Sequence, residues 1–224
     1  MNNDDTIGLI CPLCEGQDYS FYYQDNNRVY NQCARCHLVF VSPQYYLSAT
    51  EERQIYDLHE NSADDLGYRQ FLSRVMEPLI ESLSPEALGL DFGSGPEPVL
   101  QAMLVEQGFD VQVYDIFYAK NEDVLKDKYH FITCTEVVEH LHKPGAVLSS
   151  LRAKLKPGGI IALMTKQVID KQAFSSWHYK NDPTHVCFFS RDTFVWLAAS
   201  LNMRVAFYGA DVILLYEDTE CKND

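Results

Sequence analysis

Basic residues are scarce: 18 Lys plus Arg stand against 32 Asp plus Glu, a formal net charge of −14. Phosphate backbones are bound mainly through cations that release counterions, so this balance argues against RNA or DNA as a partner. No local basic patch reverses the argument. The nearest, Arg152, Lys154 and Lys156, reads as the last turn of a helix, where cations complement the dipole. Also missing is any apolar run approaching the ~20 residues that cross a bilayer, so no membrane partner is expected. The opening stretch Met1-Asn2-Asn3-Asp4-Asp5 is acidic where a secretory signal is basic. A cytoplasmic protein is expected, in which seven cysteines are not read as disulfides. The 224 residues suffice for one full α/β core with a small appendage.

Four of the cysteines form two Cys-x2-Cys knuckles, Cys11-Pro12-Leu13-Cys14 and Cys33-Ala34-Arg35-Cys36, separated by 18 residues. Paired knuckles each present two sulfurs from a tight turn, which suits one tetrahedral Zn2+ held by four thiolates. Unliganded or redox-active cysteines are the competing reading, disfavoured by the symmetric spacing. Such a site is closed, so the metal is structural and has no open position for activating water. Between the knuckles, YSFYY (19–23) and RVYN (28–31) have the content of hairpin strands, with Asp25-Asn26-Asn27 as the turn. A zinc ribbon over 1–45 is expected. Zinc ribbons often bind nucleic acid, but residues 1–50 carry five Asp or Glu and only two Arg, and a tetrathiolate metal adds negative charge.

The stretch GLDFGSGPEPVL (89–100) organises the remainder. Residues 87–91 predict a buried strand, 93–95 a tight turn that keeps side chains away from a ligand, and 97–107 a helix with Pro98 in its first turn. Twenty residues past Gly95, VQVYD (111–115) predicts a second strand ending in Asp115. A carboxylate there can accept from both ribose hydroxyls of a nucleotide.

This stretch resembles motif I of the class I S-adenosylmethionine-dependent methyltransferases, an acidic residue followed by Gly-x-Gly-x-Gly. Asp91, Gly93 and Gly95 match; Glu97 replaces the third glycine. Downstream, FITCTEVVEHL (131–141) is similar to the family's fourth strand and its acidic end, and LKPGGIIALMT (155–165) to the turn into the fifth. The likeness covers about residues 68–216 and is closest in pattern to the ubiquinone- and sugar-methyltransferase-like group. It implies an α/β Rossmann-like sheet of seven strands, order 3-2-1-4-5-7-6, shortened around strand 3 because only 13 residues separate Asp115 from Tyr129. It also implies S-adenosylmethionine as cofactor. Asp91, Gly93, Gly95, Asp115, Ile116, Phe117 and Glu136 are its expected contacts, with Glu122 or Asp123 as candidates for the adenine amino group. The competing reading is a domain that binds NAD, which also uses a glycine turn and an acid after the second strand.

A connector over 46–66 precedes a methyltransferase domain over 67–224. Tyr68, Phe71, Leu72, Val75, Met76, Leu79, Ile80 and Leu83 recur at helical spacing. Tyr56, His59, Asn61 and Tyr68 are candidate pocket residues by the resemblance. Residues 144–155 and 190–201 predict helices, 157–159 a turn, and 205–208 with 212–216 a closing hairpin.

WHYKNDPTHVCFF (177–189) follows the fifth strand, at the edge where loops cover a substrate. Trp177, His178, Tyr179 and His185 are the candidate substrate contacts, and the expected partner is a small-molecule methyl acceptor with an O, N or C nucleophile. His185 is the candidate general base, because imidazole titrates near neutral pH; Glu136 and His140 are the other catalytic candidates. The alternative for His185 is a bracing role shared with Thr184. At the level of the whole chain, an rRNA methyltransferase and a non-catalytic binding module are the alternatives.

Overall fold

The computed structural model describes residues 8–58 and 62–217. His59 and Asn61, and the polar tail from residue 218, lie outside the described residues.

The first elements are β1 (Tyr19–Gln24), β2 (Val29–Cys33) and β3 (Val39–Val41). Asp25 shapes the β1–β2 turn by accepting from the amides of Asn27 and Arg28, both at 2.8 Å, the local bonding for which Asp favours turns. Next come α1 (Ala49–Tyr56) and α2 (Leu66–Ile80). The first of these lies in the polar connector. Ser48 accepts from the Glu51 amide while the Glu51 carboxylate accepts from the Ser48 amide, a reciprocal cap that starts a helix. Asp65 caps α2, and Pro78 sits inside its last turn.

The larger unit continues with β4 (Leu88–Phe92), α3 (Val99–Glu106), β5 (Asp110–Tyr114), β6 (Tyr129–Thr135), α4 (Pro144–Ala153), β7 (Leu155–Met164), α5 (Lys171–Ser176), β8 (Cys187–Phe188), α6 (Arg191–Ser200), β9 (Met203–Tyr208) and β10 (Val212–Glu217). Its sheet has the order β5-β4-β6-β7-β10-β9. In family numbering that is 2-1-4-5-7-6, so the expected seven strands are corrected to six. Strand 3 is not formed among the described residues because the segment after β5 folds back on itself, with Asp115 bridging Ala119. The Pro157–Gly159 stretch is corrected as well: it is a bulge inside β7, which pairs with β6 at Tyr129↔Leu155 and next at Phe131↔Ile160.

Period-two alternation sorts the core onto two faces. Ile160, Ala162 and Met164 of β7 join Val212 and Leu214 of β10 in packing against α2 and α3. Ile161 and Leu163, with Ile213 and Leu215, pack against α4, α6 and the ribbon. The ribbon is continuous with the larger unit. Its sheet has the order β1-β2-β3-β8, so its fourth strand comes from the segment past residue 186. Gly145, at the start of α4, lies so close to the first knuckle that a Cβ there would meet Leu13 O at 2.1 Å.

Candidate active site

In an open sheet, ligands bind beyond the carboxyl ends of the strands where the order reverses, here between β4 and β6. A cavity of about 1450 Å³ opens at that place, closed over by Tyr56 of α1 and Tyr68 and Phe71 of α2. Single-ligand pockets run to roughly 300–1000 Å³, so two reactants fit side by side.

Asp91, at the end of β4, is buried and accepts from Thr133 Oγ1 at 2.7 Å. Burial pushes its carboxyl up to about 6 in spite of that hydrogen bond. Gly93 (φ +77°) and Gly95 (φ +68°) make the turn in a backbone region that other residues avoid. A Cβ on Gly93 would also strike Val137 Cγ2 at 2.5 Å. Asp115 is fixed to the turn: Oδ2 accepts from the Gly95 amide at 3.0 Å, and Oδ1 from the amides of Phe117 (2.8 Å) and Tyr118 (3.1 Å). Ile116 and Phe117 line the same side, Ile116 60% exposed.

Where β6 ends, Glu136 adopts φ +53°, a strained conformation for a residue with a side chain. Its Oε1 has no partner, nor have Ser94 Oγ and Thr135 Oγ1, all buried on the cavity wall. Buried polar atoms are rarely left unpaired, and three such groups in one cavity are a set that a polar ligand would satisfy. Behind the wall, Glu139 is 0% exposed, and its Oε1 accepts from the Tyr179 hydroxyl. Burial and then the neighbouring Glu136 raise its carboxyl to about 8, which keeps it protonated at neutral pH. Six acids and three lysines line the cavity (Glu52, Asp91, Glu97, Asp115, Glu136, Asp182; Lys143, Lys154, Lys166).

The loop after α5 supplies the far wall. His185 is 6% exposed, and its Nδ1 lies 2.7 Å from Tyr179 O. A carbonyl only accepts, so Nδ1 carries the proton and the neutral ring keeps its lone pair on Nε2. Burial lowers the imidazole pKa, partly offset by Asp182, so the neutral form holds at pH 7. Asp182 Oδ2 stands 3.8 Å from Nε2, beyond hydrogen-bond distance. Its Oδ1 accepts from the Thr184 amide (2.8 Å) and hydroxyl (2.5 Å). His185 and Thr184 are thus both hydrogen-bonded within the loop, His185 through Nδ1. The His140 ring meets the His185 ring edge-on at 4.6 Å.

Of the sequence candidates, Asp91, Gly93, Gly95, Asp115, Ile116, Phe117, Glu136, His140, Tyr179 and His185 converge on the one cavity, with Tyr56 and Tyr68. Trp177 does not reach its wall; it stacks behind Tyr179 at 5.0 Å. His178 is exposed and outside it, its Nε2 3.2 Å from Lys166 Nζ. Asp123 pairs with Lys126 at 2.6 Å on the surface, and Glu122 also lies off the lining. Sequence reading missed Lys166, which directly follows the 155–165 motif, and α1, whose Ser48-x-x-Glu51 cap was there to be seen.

The four knuckle cysteines form one cluster, their sulfurs all within 4.8 Å of one another. Cys11 and Cys36 Sγ are 3.5 Å apart, Cys14 and Cys33 Sγ 3.4 Å. Zinc–sulfur bonds of about 2.3 Å in a tetrahedron require comparable separations, so the donor set fits Zn2+. Glu15 (φ +58°) and His37 (φ +59°) turn the chain just past each knuckle. Across the described residues no helix is long and apolar enough to cross a membrane.

A family model described as "Methyltransferase domain" matches residues 67–206. The ubiquinone biosynthesis O-methyltransferase of Aeromonas salmonicida is 30% identical over 77 residues, 34% of this chain and 32% of that protein. Its Pseudomonas entomophila counterpart is also 30% identical over 77 residues, 34% and 33% of the two chains. The chain thus spans about a third of the length of these curated relatives. Among solved structures, a SAM-dependent methyltransferase from Archaeoglobus fulgidus superposes with a TM-score of 0.55 at 14% identity, over 74% of this chain and 99% of that one. A 1,6-didemethyltoxoflavin-N1-methyltransferase from Burkholderia thailandensis, with its acceptor and S-adenosylhomocysteine bound, gives 0.52 at 14%, over 89% and 100%. At these identities the structures show a shared fold.

Proposed function

The chain belongs to this methyltransferase-domain family, and on that premise we propose that it binds S-adenosylmethionine in the cavity and transfers the methyl group to a small-molecule acceptor. The observation that carries the reading is the acidic cavity with its orphaned acceptors at the ends of β4 and β6. A sulfonium and an ammonium are cations and suit such a wall, whereas the pyrophosphate of NAD would face Asp91, Glu97 and Asp115 across a short distance.

S-adenosylmethionine supplies an electrophilic methyl group on a sulfonium. Asp115, beside Gly95, is placed for the ribose hydroxyls; Ile116 and Phe117 for the adenine; Gly93, Ser94 and Glu136 for the methionine end. His185 Nε2 takes the proton of an acceptor hydroxyl as the nucleophile forms, and the aromatic wall of Tyr56 and Tyr179 excludes water and aligns the acceptor.

A small-molecule acceptor is favoured over RNA by the ribbon itself. Of its two arginines Arg28 is buried against the loop and only Arg35, over the Trp196 ring at 5.6 Å, is exposed, and a single exposed cation makes no track for phosphates. The relatives' names point the same way, since ubiquinone precursors and toxoflavin are small molecules. The ribbon metal is proposed as structural Zn2+ on Cys11, Cys14, Cys33 and Cys36, and a cytoplasmic place is proposed with it, the six described cysteines forming no disulfide.

Calorimetry tests the cofactor assignment. Wild-type protein is expected to bind S-adenosylmethionine and not NAD, and Asp115→Ala to weaken binding by about 1.5–3 kcal/mol, the usual value of hydrogen bonds to a charged group. Binding of NAD, or unchanged affinity in the variant, would overturn it.

A further inference from the structure

Arg28 stands in the ribbon immediately before β2 and is 8% exposed. All five of its guanidinium N–H groups have acceptors. Nε donates to Tyr30 Oη at 3.2 Å; Nη1 to Pro183 O (3.3 Å) and His185 O (2.9 Å); Nη2 to Asp182 O (2.9 Å) and to Lys180 O. Four of the five are backbone carbonyls of one loop, more than 150 residues away in the chain. Burying a cation is costly unless its donors are all met, and here they are met by the loop that carries His185. Tyr30 extends the anchor, its hydroxyl donating to Asp25 Oδ2 at 2.9 Å.

Other ties of the loop lie within itself or at its end: Asp182 Oδ1 accepts from Thr184, the His185 amide donates to Asp182 O, and the Val186 amide donates to Glu139 O. The loop runs from the end of the His178–Asn181 turn to the two-residue strand β8, and the side chains it buries before Val186 are polar, those of Lys180, Thr184 and His185. The orientation of the His185 ring depends on the spacing of two carbonyls: its own, held by Arg28, and that of Tyr179, which takes the Nδ1 proton.

We propose that Arg28 is a positioning residue that locks the 180–185 loop, fixing the tautomer and direction of His185 without touching either reactant. The inference rests on the reading of His185 as the acceptor-side base. It makes the ribbon a working part of the active site: proton removal from the acceptor depends on a residue held by the hairpin between the two knuckles. Arginine is required because a lysine, with three donors on one atom, cannot serve four diverging carbonyls.

The experiment uses the full zinc-loaded chain with Arg28→Gln and Arg28→Lys. Zinc content and S-adenosylmethionine affinity are expected to stay at the wild-type level. Amide exchange over 180–186 is expected to rise by about 10-fold or more as the loop opens locally. In long-range nitrogen–proton NMR spectra His185 is expected to pass from a single Nδ1–H tautomer to a mixture, with Arg28→Lys intermediate. A wild-type tautomer and unchanged exchange in Arg28→Gln overturn the proposal. If Arg28→Gln loses zinc, Arg28→Lys carries the test by the same readouts, and loss of zinc in both assigns Arg28 to ribbon stability and also overturns it. A freed loop combined with full turnover of His185→Ala would keep the positioning role and remove His185 as the base.

Discussion

With Cys11 and Cys33 both replaced by Ser, the protein is expected to lose the proposed zinc and the order of residues 8–41, while the six-stranded β5-β4-β6-β7-β10-β9 sheet stays folded. So small a segment cannot bury enough apolar surface alone. For structural sites of this type, metal binding of about 10–16 kcal/mol is folding free energy. The two hydrophobic faces divide the consequences. The face of α2 and α3 contains no ribbon residue, whereas the other buries Cys11, Tyr30, Leu38 and Phe40 with Phe174 and Phe188. Val39 and Phe40 also pair with Phe188 and Cys187. Loss of the ribbon should therefore raise amide exchange in β8 and the 180–186 loop and leave β4 and β5 protected. Metal analysis finding no zinc in gently purified wild-type protein, or full zinc retained in the double variant, would contradict the assignment.

His185→Ala is expected to lower turnover by roughly 10²-fold or more where proton removal limits the rate, with S-adenosylmethionine affinity intact. The structure adds a complication and its control. Truncation leaves the buried Tyr179 carbonyl without its donor, at a cost of about 1–3 kcal/mol, so some destabilisation belongs to the bracing role. His185→Gln, whose amide can still donate to that carbonyl but has no basic nitrogen, should recover stability and not turnover. Recovery of both would make His185 a loop brace only, leaving His140 and His178 to be examined. His140 is the stronger of these, because it lines the cavity and His178 does not.

Much of the nucleotide-binding half was legible because its signals are local. The turn glycines, the acid after β5 and the alternation in β7 and β10 each act within a few residues of themselves, so their spacing survives into the fold. The four-cysteine cluster and the β1–β2 hairpin were legible for the same reason: two knuckles and an Asp-Asn-Asn turn fix their own geometry. What escaped was long-range or borrowed. The number of sheet strands came from the resemblance, and the 13 residues between Asp115 and Tyr129 close a tight turn where the seventh would stand. Pro157–Gly159 carries turn chemistry, yet Gly158 (φ +77°) is accommodated as a bulge because strands flank it on both sides. Trp177 had the composition of a pocket wall and was claimed by the Phe174–Phe188 cluster. Arg28 could not be read at all, since its partners are carbonyls, which every residue has.

The most direct test incubates the protein with methyl-labelled S-adenosylmethionine and an extract divided into small-molecule and RNA fractions. Label is expected in a discrete small molecule, with S-adenosylhomocysteine formed in equal amount and both lost in His185→Ala. Label in the RNA fraction, or no transfer to any fraction by protein that binds the cofactor, would contradict small-molecule methyl transfer as its function.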